Sequence, residues 1–311
     1  MIIRPVGQCF GIGIGRFVFA FLLSLSCTAF PGTFNPAQAT EKPTVNWALT
    51  PLPPAMLEQN GQIVGYGVDI LNWFASRLPD YTHVKQIVPL PRLMQTITAP
   101  GTFCNIGMNP TPERQKFLHF TDAVLPHLPV SLFTSPARED QILPFVDEQG
   151  DVDLERMIAF GKLNGALRSQ RSYGIKIDTI LRRNANNTAI SYIGNDANFL
   201  QLIALGRLDW TLYLPAEAEF HRRAQLPDDT FTSWHVAGND QLMPASIACS
   251  KTETGDAIVS AINSLVKENP DMPWTAFYSS SLSEADQVRY GKALENYKTN
   301  LQTGLAQLND Q

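Results

Sequence analysis

The residues in this sequence best suited to binding chemistry are arginines that stand beside turn-forming residues. Arg114 follows a Pro-Thr-Pro-Glu stretch, and Arg168 and Arg171 lie just before a Ser-Tyr-Gly stretch. A guanidinium group presents a planar fork of donors, which binds a carboxylate with two parallel hydrogen bonds. Each of these arginines is therefore a candidate anion-binding group. The alternative for each is an arginine at the surface that contacts only solvent.

No group of residues in the sequence indicates catalysis, a metal site or a cofactor. The five histidines show no H-E-x-x-H pattern and no His-Cys clustering with the spacing of a zinc site. The G-x-S-x-G stretch of a hydrolase nucleophile is also absent from the sequence. We therefore expect a protein that is not an enzyme and that needs no cofactor.

The first 39 residues have the layout of an export signal. Arg4 and Arg16 precede the apolar run 17–23, and an Ala-Gln-Ala site follows at 37–39. This layout is typical of a signal peptide that is cleaved from an exported protein. The run is shorter than the roughly 20 apolar residues of a membrane span. A transmembrane anchor is the alternative, as is a lipid anchor on Cys27.

The charge of the chain limits its partners. The 311 residues carry a net charge of −5 at pH 7. An acidic balance argues against nucleic acid and against anionic membrane surfaces as partners. A small anionic ligand stays possible, because the local charge of a cleft decides what it binds.

Two cysteines lie beyond the signal segment. Cys104 and Cys249 each sit in an apolar, strand-like run. Two thiols in an exported protein suggest one disulfide, but free cysteines buried in a core would have the same sequence pattern. The sequence leaves both possibilities open.

Strand and helix patterns alternate along the chain. Apolar runs predict strands over 44–49, 103–108 and 210–214, and helical spacing predicts helices over 68–78 and 257–267. Such alternation predicts an α/β protein with mostly parallel sheets.

The order of motifs over residues 61–122 carries a family resemblance. Gly65 and Gly67 lead into a helix, a strand precedes Thr111-Pro112-Glu113-Arg114, and the turn Phe120-Thr121-Asp122 follows. This order resembles lobe 1 of the periplasmic solute-binding proteins of the polar amino-acid family, family 3. The resemblance implies a two-lobed, periplasmic-binding-protein-like (type II) α/β fold with two hinge crossings.

The resemblance also implies how the chain divides into lobes. The crossings are expected near 129–135 and 243–249. Lobe 1 would begin with residues 40–131, lobe 2 would comprise 132–245, and 246–311 would return to lobe 1 and add C-terminal helices.

On the lobe 1 side, the resemblance assigns site residues around Arg114. Arg114 stands where the family grips the α-carboxylate of its ligand, at a helix start where backbone N–H groups add to the attraction. Asn109 stands where the family has a hydroxyl contact, although an asparagine before proline is also typical of a turn. Arg92, which follows Pro-Leu-Pro, could face the same cleft.

On the lobe 2 side, the resemblance points to the turn after the strand predicted at 163–167. Arg168, Arg171, Ser172 and Tyr173 occupy the place where the family holds the carboxylate from the other side. Tyr213 is available as an aromatic wall. Four arginines shared between the lobes would suit a carboxylate-rich or phosphorylated solute.

Two departures argue against an ordinary amino acid as the ligand. Leu214 stands where the family has the aspartate that pairs with the ligand's ammonium group, and Leu52 stands where it stacks an aromatic ring. An ammonium group buried without an acidic partner is costly. Glu217 or Asp196 could substitute for the missing aspartate.

The resulting expectation is a periplasmic solute-binding protein that closes its lobes over a small polar, anionic solute. The resemblance implies a membrane permease of the ABC type as its partner and a monomeric state. The alternative is a ligand-sensing or partner-binding protein of a signalling system that uses the same fold.

Overall fold

The computed structural model describes residues 41–169, 171–194 and 198–309, apart from the side chains of residue 90 and of residues 302–309. The expected signal peptide at 1–39 lies outside the described residues, and so does Asp196. No helix in the described ranges is long and apolar enough to span a membrane.

The described part of the chain alternates between strands and helices. The strands are Thr44–Leu49 (β1), Leu57–Gln59 (β2), Gln62–Val64 (β3), Thr82–Ile87 (β4), Phe103–Met108 (β5), Leu118–Phe120 (β6), Leu125–His127 (β7), Ser131–Thr134 (β8), Gly165–Arg168 (β9), Ile190–Ile193 (β10), Trp210–Tyr213 (β11), Thr232–Trp234 (β12) and Met243–Ser250 (β13). The helices are Tyr66–Ala75 (α1), Leu90–Ile97 (α2), Pro112–Gln115 (α3), Glu139–Ile142 (α4), Leu154–Phe160 (α5), Ile175–Arg183 (α6), Phe199–Ala204 (α7), Pro215–Gln225 (α8), Glu253–Glu268 (α9), Thr275–Ser279 (α10) and Glu284–Asn309 (α11).

The strands form two larger sheets, which define two lobes. The sheet of lobe 1 has the order β4-β1-β5-β13-β6, with β7 also paired to β13, and the sheet of lobe 2 has the order β10-β9-β11-β8-β12. Strand β1 runs parallel to β4 and β5, and β9 runs parallel to β10 and β11. The strands next to the crossings, β8 and β13, run antiparallel to their neighbours. The sheets are therefore mixed rather than mostly parallel.

The chain passes between the two sheets twice. The first crossing lies between His127, the last residue of β7, and Ser131, the first residue of β8. The second lies between Trp234 and Met243. The sequence placed this crossing near 243–249. Strand β13 (Met243–Ser250) belongs to lobe 1 over its whole length, so the crossing ends at residue 243, where the expected range begins.

Lobe 1 is built from both ends of the described chain. Its core packs Trp47 of β1 and Phe74 of α1 against Ile258 of α9 and Trp274. The rings of Phe74 and Trp274 lie 4.7 Å apart. Because aromatic side chains bury large apolar areas, the return segment is part of this core and not an appendage.

A disulfide joins the two halves of lobe 1. Cys104 and Cys249 are paired residues on the neighbouring strands β5 and β13, both are fully buried, and their sulfur atoms are bonded. The two cysteines are 145 residues apart in the sequence. The bond therefore encloses the whole of lobe 2 in one covalent loop.

The C-terminal helix touches both lobes. The hydroxyl of Tyr290 donates to the carbonyl of Pro126 in lobe 1 at 2.9 Å. Arg289 contacts the Nε2 atom of His235, which follows β12 in lobe 2. Arg223 on α8 donates to the carbonyl of Leu282 at 3.2 Å. The lobes are thus joined by contacts beyond the two crossings.

Reduction of the Cys104–Cys249 disulfide is expected to lower the free energy of unfolding by about 3 kcal/mol, because the bond restricts a long loop in the unfolded chain. Urea unfolding with and without a reductant measures this difference. A Cys104→Ala/Cys249→Ala double variant should not respond to the reductant. Identical wild-type curves after confirmed reduction would contradict the prediction.

Candidate functional site

Glu217 is a buried carboxylate at the start of a helix. Strand β11 ends at Tyr213, and α8 begins at Pro215, a residue favoured in the first helical turn. Glu217 lies in that first turn, where the positive end of the helix dipole stabilises an acidic side chain. Its side chain is only 2% exposed, so its negative charge requires nearby partners.

Two arginines from the turn after β9 supply those partners. Nη2 of Arg168 lies 2.8 Å from Oε1 of Glu217, and Nη2 of Arg171 lies 2.7 Å from Oε2. The arginine side chains are 14% and 15% exposed. Burial works against the charge of Arg171, but Glu217 outweighs burial and raises the pKa of Arg171 above its ordinary value. These three residues, the Arg168–Glu217–Arg171 cluster, carry two positive charges and one negative charge.

The cluster keeps hydrogen-bonding capacity that the protein does not use. Among the described residues, Nε of Arg168 and Nη1 of Arg171 are buried without a hydrogen-bond partner. Both oxygens of Glu217 also lack an aligned hydrogen bond, although they are within ion-pair distance of the guanidinium groups. Buried polar groups without partners are rare in folded proteins. Such groups are suited to a polar ligand.

The rings of two buried tyrosines lie beside the guanidinium groups of the arginines. The hydroxyl of Tyr173 accepts from the backbone N–H of Arg168 at 2.8 Å, and that of Tyr213 accepts from Phe199 at 3.3 Å. The guanidinium carbon of Arg171 lies 5.5 Å from the Tyr173 ring centre, and that of Arg168 lies 5.9 Å from the Tyr213 ring centre. Burial raises the pKa of Tyr173 to about 12. Both tyrosines are buried and position the arginines.

His221 follows Glu217 by one helical turn on α8. Its ring lies 5.6 Å from the ring of Tyr213. Within the described chain, both of its ring nitrogens are buried and have no hydrogen-bond partner. Burial lowers the pKa of His221, and Arg168 and Arg171 lower it further, against an opposing effect of Glu217. A neutral imidazole has one donor and one acceptor.

Aromatic side chains of lobe 1 lie within electrostatic range of this cluster. Burial raises the pKa of Tyr66, Glu217 raises it further, and Arg171 lowers it. Burial also lowers the pKa of His127, and Arg171 adds to this effect. Tyr66 begins α1 and His127 ends β7, so both belong to lobe 1. Packing agrees with this: Ala216, next to Glu217 on α8, belongs to the core cluster of lobe 1, and a Cβ atom on Gly174 at the start of α6 would lie 3.5 Å from Cε of Met243 on β13. The cluster therefore lies where the two lobes meet.

Local backbone geometry places Tyr66 at this meeting point. The preceding Gly65 has φ 122°, and a Cβ atom there would lie 2.3 Å from the carbonyl oxygen of Pro54. Other residues rarely adopt such a φ. The ring of Tyr66 packs edge-on against Tyr278 at 5.2 Å, and the hydroxyl of Tyr278 accepts from the N–H of Leu128 at 3.1 Å.

The structure brings together some of the residues expected from the sequence. Arg168, Arg171, Tyr173 and Tyr213 meet in or beside the cluster. Ser172 is exposed, and its hydroxyl donates to Asp178 and accepts from the N–H of Gly174 at 3.3 Å. That hydroxyl helps to shape the start of α6.

The other expected residues lie apart from the cluster. Nη1 of Arg114 donates to the backbone carbonyl of Asn109 at 2.9 Å. No hydrogen bond or ion pair among the described residues links Arg114 or Asn109 to Arg168, Arg171 or Glu217. Arg92 is exposed on α2.

The sequence analysis did not identify the role of Glu217, and it did not place His127 or His221 near the candidate site. Glu217 was considered only as a partner for a ligand's ammonium group, and in the structure its carboxylate pairs with two arginines. His221 had one signal, its spacing of four residues from Glu217, which places both on one helix face. The electrostatic effect of Arg171 on His127 depends on how the two lobes pack, and no local sequence pattern indicates it.

The fold is shared with solved binding proteins, whereas no protein-family model and no curated protein matches the sequence. One similar structure is an extracellular-binding protein assigned to an amino-acid ABC transporter of Bacillus subtilis, with 16% identity, coverage of 79% of this chain and 99% of that one, and a TM-score of 0.56. A second is an ancestral amino acid-binding protein described as a precursor of cyclohexadienyl dehydratase, with 16% identity, coverage of 78% and 96%, and a TM-score of 0.54.

A third similar structure belongs to a signalling protein. It is a histidine kinase sensor domain with similarity to periplasmic binding proteins, with 14% identity, coverage of 78% of this chain and 96% of that one, and a TM-score of 0.56. These comparisons confirm the predicted two-lobed, periplasmic-binding-protein-like fold and, at the level of the fold, the resemblance to the amino-acid-type solute-binding proteins. At these identities they establish the fold alone.

Replacing the buried acid should destabilise the protein. Glu217→Gln leaves two buried guanidinium groups without a counter-charge, and we expect a loss of about 3 kcal/mol in unfolding free energy. The matched control is Glu155→Gln. Glu155 pairs with Arg183 at the surface, where the two side chains are 45% and 65% exposed, and such pairs contribute at most about 1 kcal/mol. Urea unfolding of both variants compares the losses, and equal losses would contradict the prediction.

Stability should fall as the pH falls from 8 to 5.5. His127 and His221 have lowered pKa values in the folded protein, whereas the unfolded value is about 6.5. The unfolded state therefore binds more protons in this window, so acid favours unfolding. Thermal melts across the window test this, and His221→Gln should flatten the dependence. A melting temperature that rises toward pH 5.5 would contradict the prediction.

Proposed function

We propose that this protein is a periplasmic solute-binding protein that closes two lobes over a small polar, anionic solute. The observation that carries the proposal is the Arg168–Glu217–Arg171 cluster. It holds two arginines with one counter-charge, leaves buried donors without partners, and lies at the meeting point of the lobes. A carboxylate is the natural partner for such donors.

Binding would act through the relative position of the lobes. Arg168 and Arg171 offer donors from lobe 2, and Tyr66 and His127 of lobe 1 lie within electrostatic range of Arg171. A ligand that contacts both sides stabilises the closed arrangement by its difference in affinity for the closed and open states. Arg114 and Asn109 form a second proposed contact region on lobe 1, and Arg92 and Ser172 are peripheral candidates.

Uptake by an ABC transporter is the biological role we propose. Two observations support it: the export-type layout of residues 1–39 and the fold shared with binding proteins of amino-acid ABC transporters. A permease would then recognise the closed, loaded form, and the protein would act as a monomer. The shared fold of a histidine kinase sensor domain supports a sensing role as the second candidate.

We propose a binding role and not a catalytic one. One similar structure is described as a precursor of a dehydratase, so the fold is compatible with catalysis. In this chain, the described residues of the cluster pair their only carboxylate with two arginines. These residues form an ion-pair network and not an acid–base pair.

Calorimetry after a thermal-shift screen tests the proposal. A ligand at 100 times its Kd should add about 2.7 kcal/mol of stability. We expect hits among carboxylates, and we expect Arg171→Gln to weaken their binding at least tenfold, as loss of a charge-assisted hydrogen bond does. Arg182→Gln is the matched control, because Arg182 is exposed on α6. No hit in a broad library, or unchanged affinity in Arg171→Gln, would refute the proposal.

Deletion of the gene separates the two biological roles. Transport predicts that cells lose uptake of the radiolabelled ligand. Sensing predicts that uptake continues while the cellular response to the ligand is lost.

A further inference from the structure

We infer that the ligand is a small organic acid with one carboxylate and a hydroxyl group in the place where an amino acid carries its ammonium group. This inference rests on the proposed binding function and narrows the ligand class. Three features of the site support it: its net charge, the commitment of Glu217, and the unpartnered polar atoms of His221 and Glu217.

The first feature is the net charge. Arg168 and Arg171 carry two positive charges, and Glu217 carries one negative charge. The groups around the cluster do not change this sum at neutral pH. Burial keeps Tyr66, Tyr173 and Tyr213 protonated, and it keeps His127 and His221 neutral. One carboxylate therefore balances the site, whereas a zwitterion leaves it with an uncompensated positive charge.

The second feature is the commitment of Glu217. An ammonium group bound here would need this carboxylate as its partner. Both oxygens of Glu217 already lie within 2.8 Å of guanidinium nitrogens. A third cation would share one buried negative charge with two arginines, and like charges in a buried site repel strongly. The cluster therefore selects against an amine.

The third feature is the pattern of free donors and acceptors. The carboxylate of Glu217 lacks aligned hydrogen bonds, and His221 has two buried ring nitrogens without partners in the described chain. A hydroxyl group both donates and accepts, so it can donate to Glu217 while accepting from the imidazole N–H of His221. The unpartnered donors Nε of Arg168 and Nη1 of Arg171 remain for the ligand's carboxylate.

Matched pairs of ligands test this inference on the wild-type protein. Calorimetry would compare each neutral amino acid with the 2-hydroxy acid of the same carbon skeleton, for example alanine with lactate and phenylalanine with 3-phenyllactate. We expect at least one hydroxy acid to bind, and to bind at least tenfold more tightly than its amino acid. Amino acids that bind as tightly or more tightly would overturn the inference and leave the proposed function standing. If no compound in these pairs binds but another carboxylate from the broad screen does, the inference is overturned and the proposed function stands.

A variant checks that the charge of the cluster sets this preference. Arg171→Gln removes the net positive charge, so the preference for the hydroxy acid over its amino acid should shrink severalfold. Arg182→Gln should keep the wild-type preference. A merely structural effect of Arg171 would weaken both ligands equally, and an unchanged ratio in Arg171→Gln would count against the inference.

Discussion

The buried carboxylate of Glu217 is the constraint on which the charged part of the candidate site in lobe 2 depends. A charge that is 2% exposed is stable only with partners that are also withdrawn from water. Arg168 and Arg171 meet this need, and the rings of Tyr173 and Tyr213 hold them in position. The turn after β9 and the start of α8 are therefore fixed relative to each other, and together they carry one net positive charge.

Lobe 1 contributes to the same place by different means. It contributes two aromatic groups, Tyr66 and His127, whose pKa values are shifted mainly by burial and also by the charge of Arg171. Each stands beside a point of backbone constraint: Gly65 before α1, and the first crossing after β7. The site thus combines a charged half and an aromatic half, and each half is anchored in its own sheet.

The sequence predicted the elements that carry a recognisable hydrophobic pattern within their own length. Strands β1 and β5 were predicted with the bounds that the structure has, because each is an apolar run long enough to recognise. The three-residue strands β6, β7 and β12 carry no such pattern. The turn with Arg168 and Arg171 was predicted as charged, but the pairing with Glu217 is a tertiary contact between β9 and α8. Only the folded sheet brings them together, so residue types and local spacing could not reveal it.

The disulfide between β5 and β13 has a consequence for the order in which the molecule assembles. Lobe 2 is one uninterrupted stretch of chain, so all five strands of its sheet precede β13 in the sequence. Lobe 1 lacks β13 until the far end of that stretch has been reached, and its bonded cysteines are 145 residues apart. Contacts between distant segments form slowly. Formation of this bond therefore requires β13 to pair with β5 across the whole intervening lobe, and it completes the sheet of the interrupted lobe.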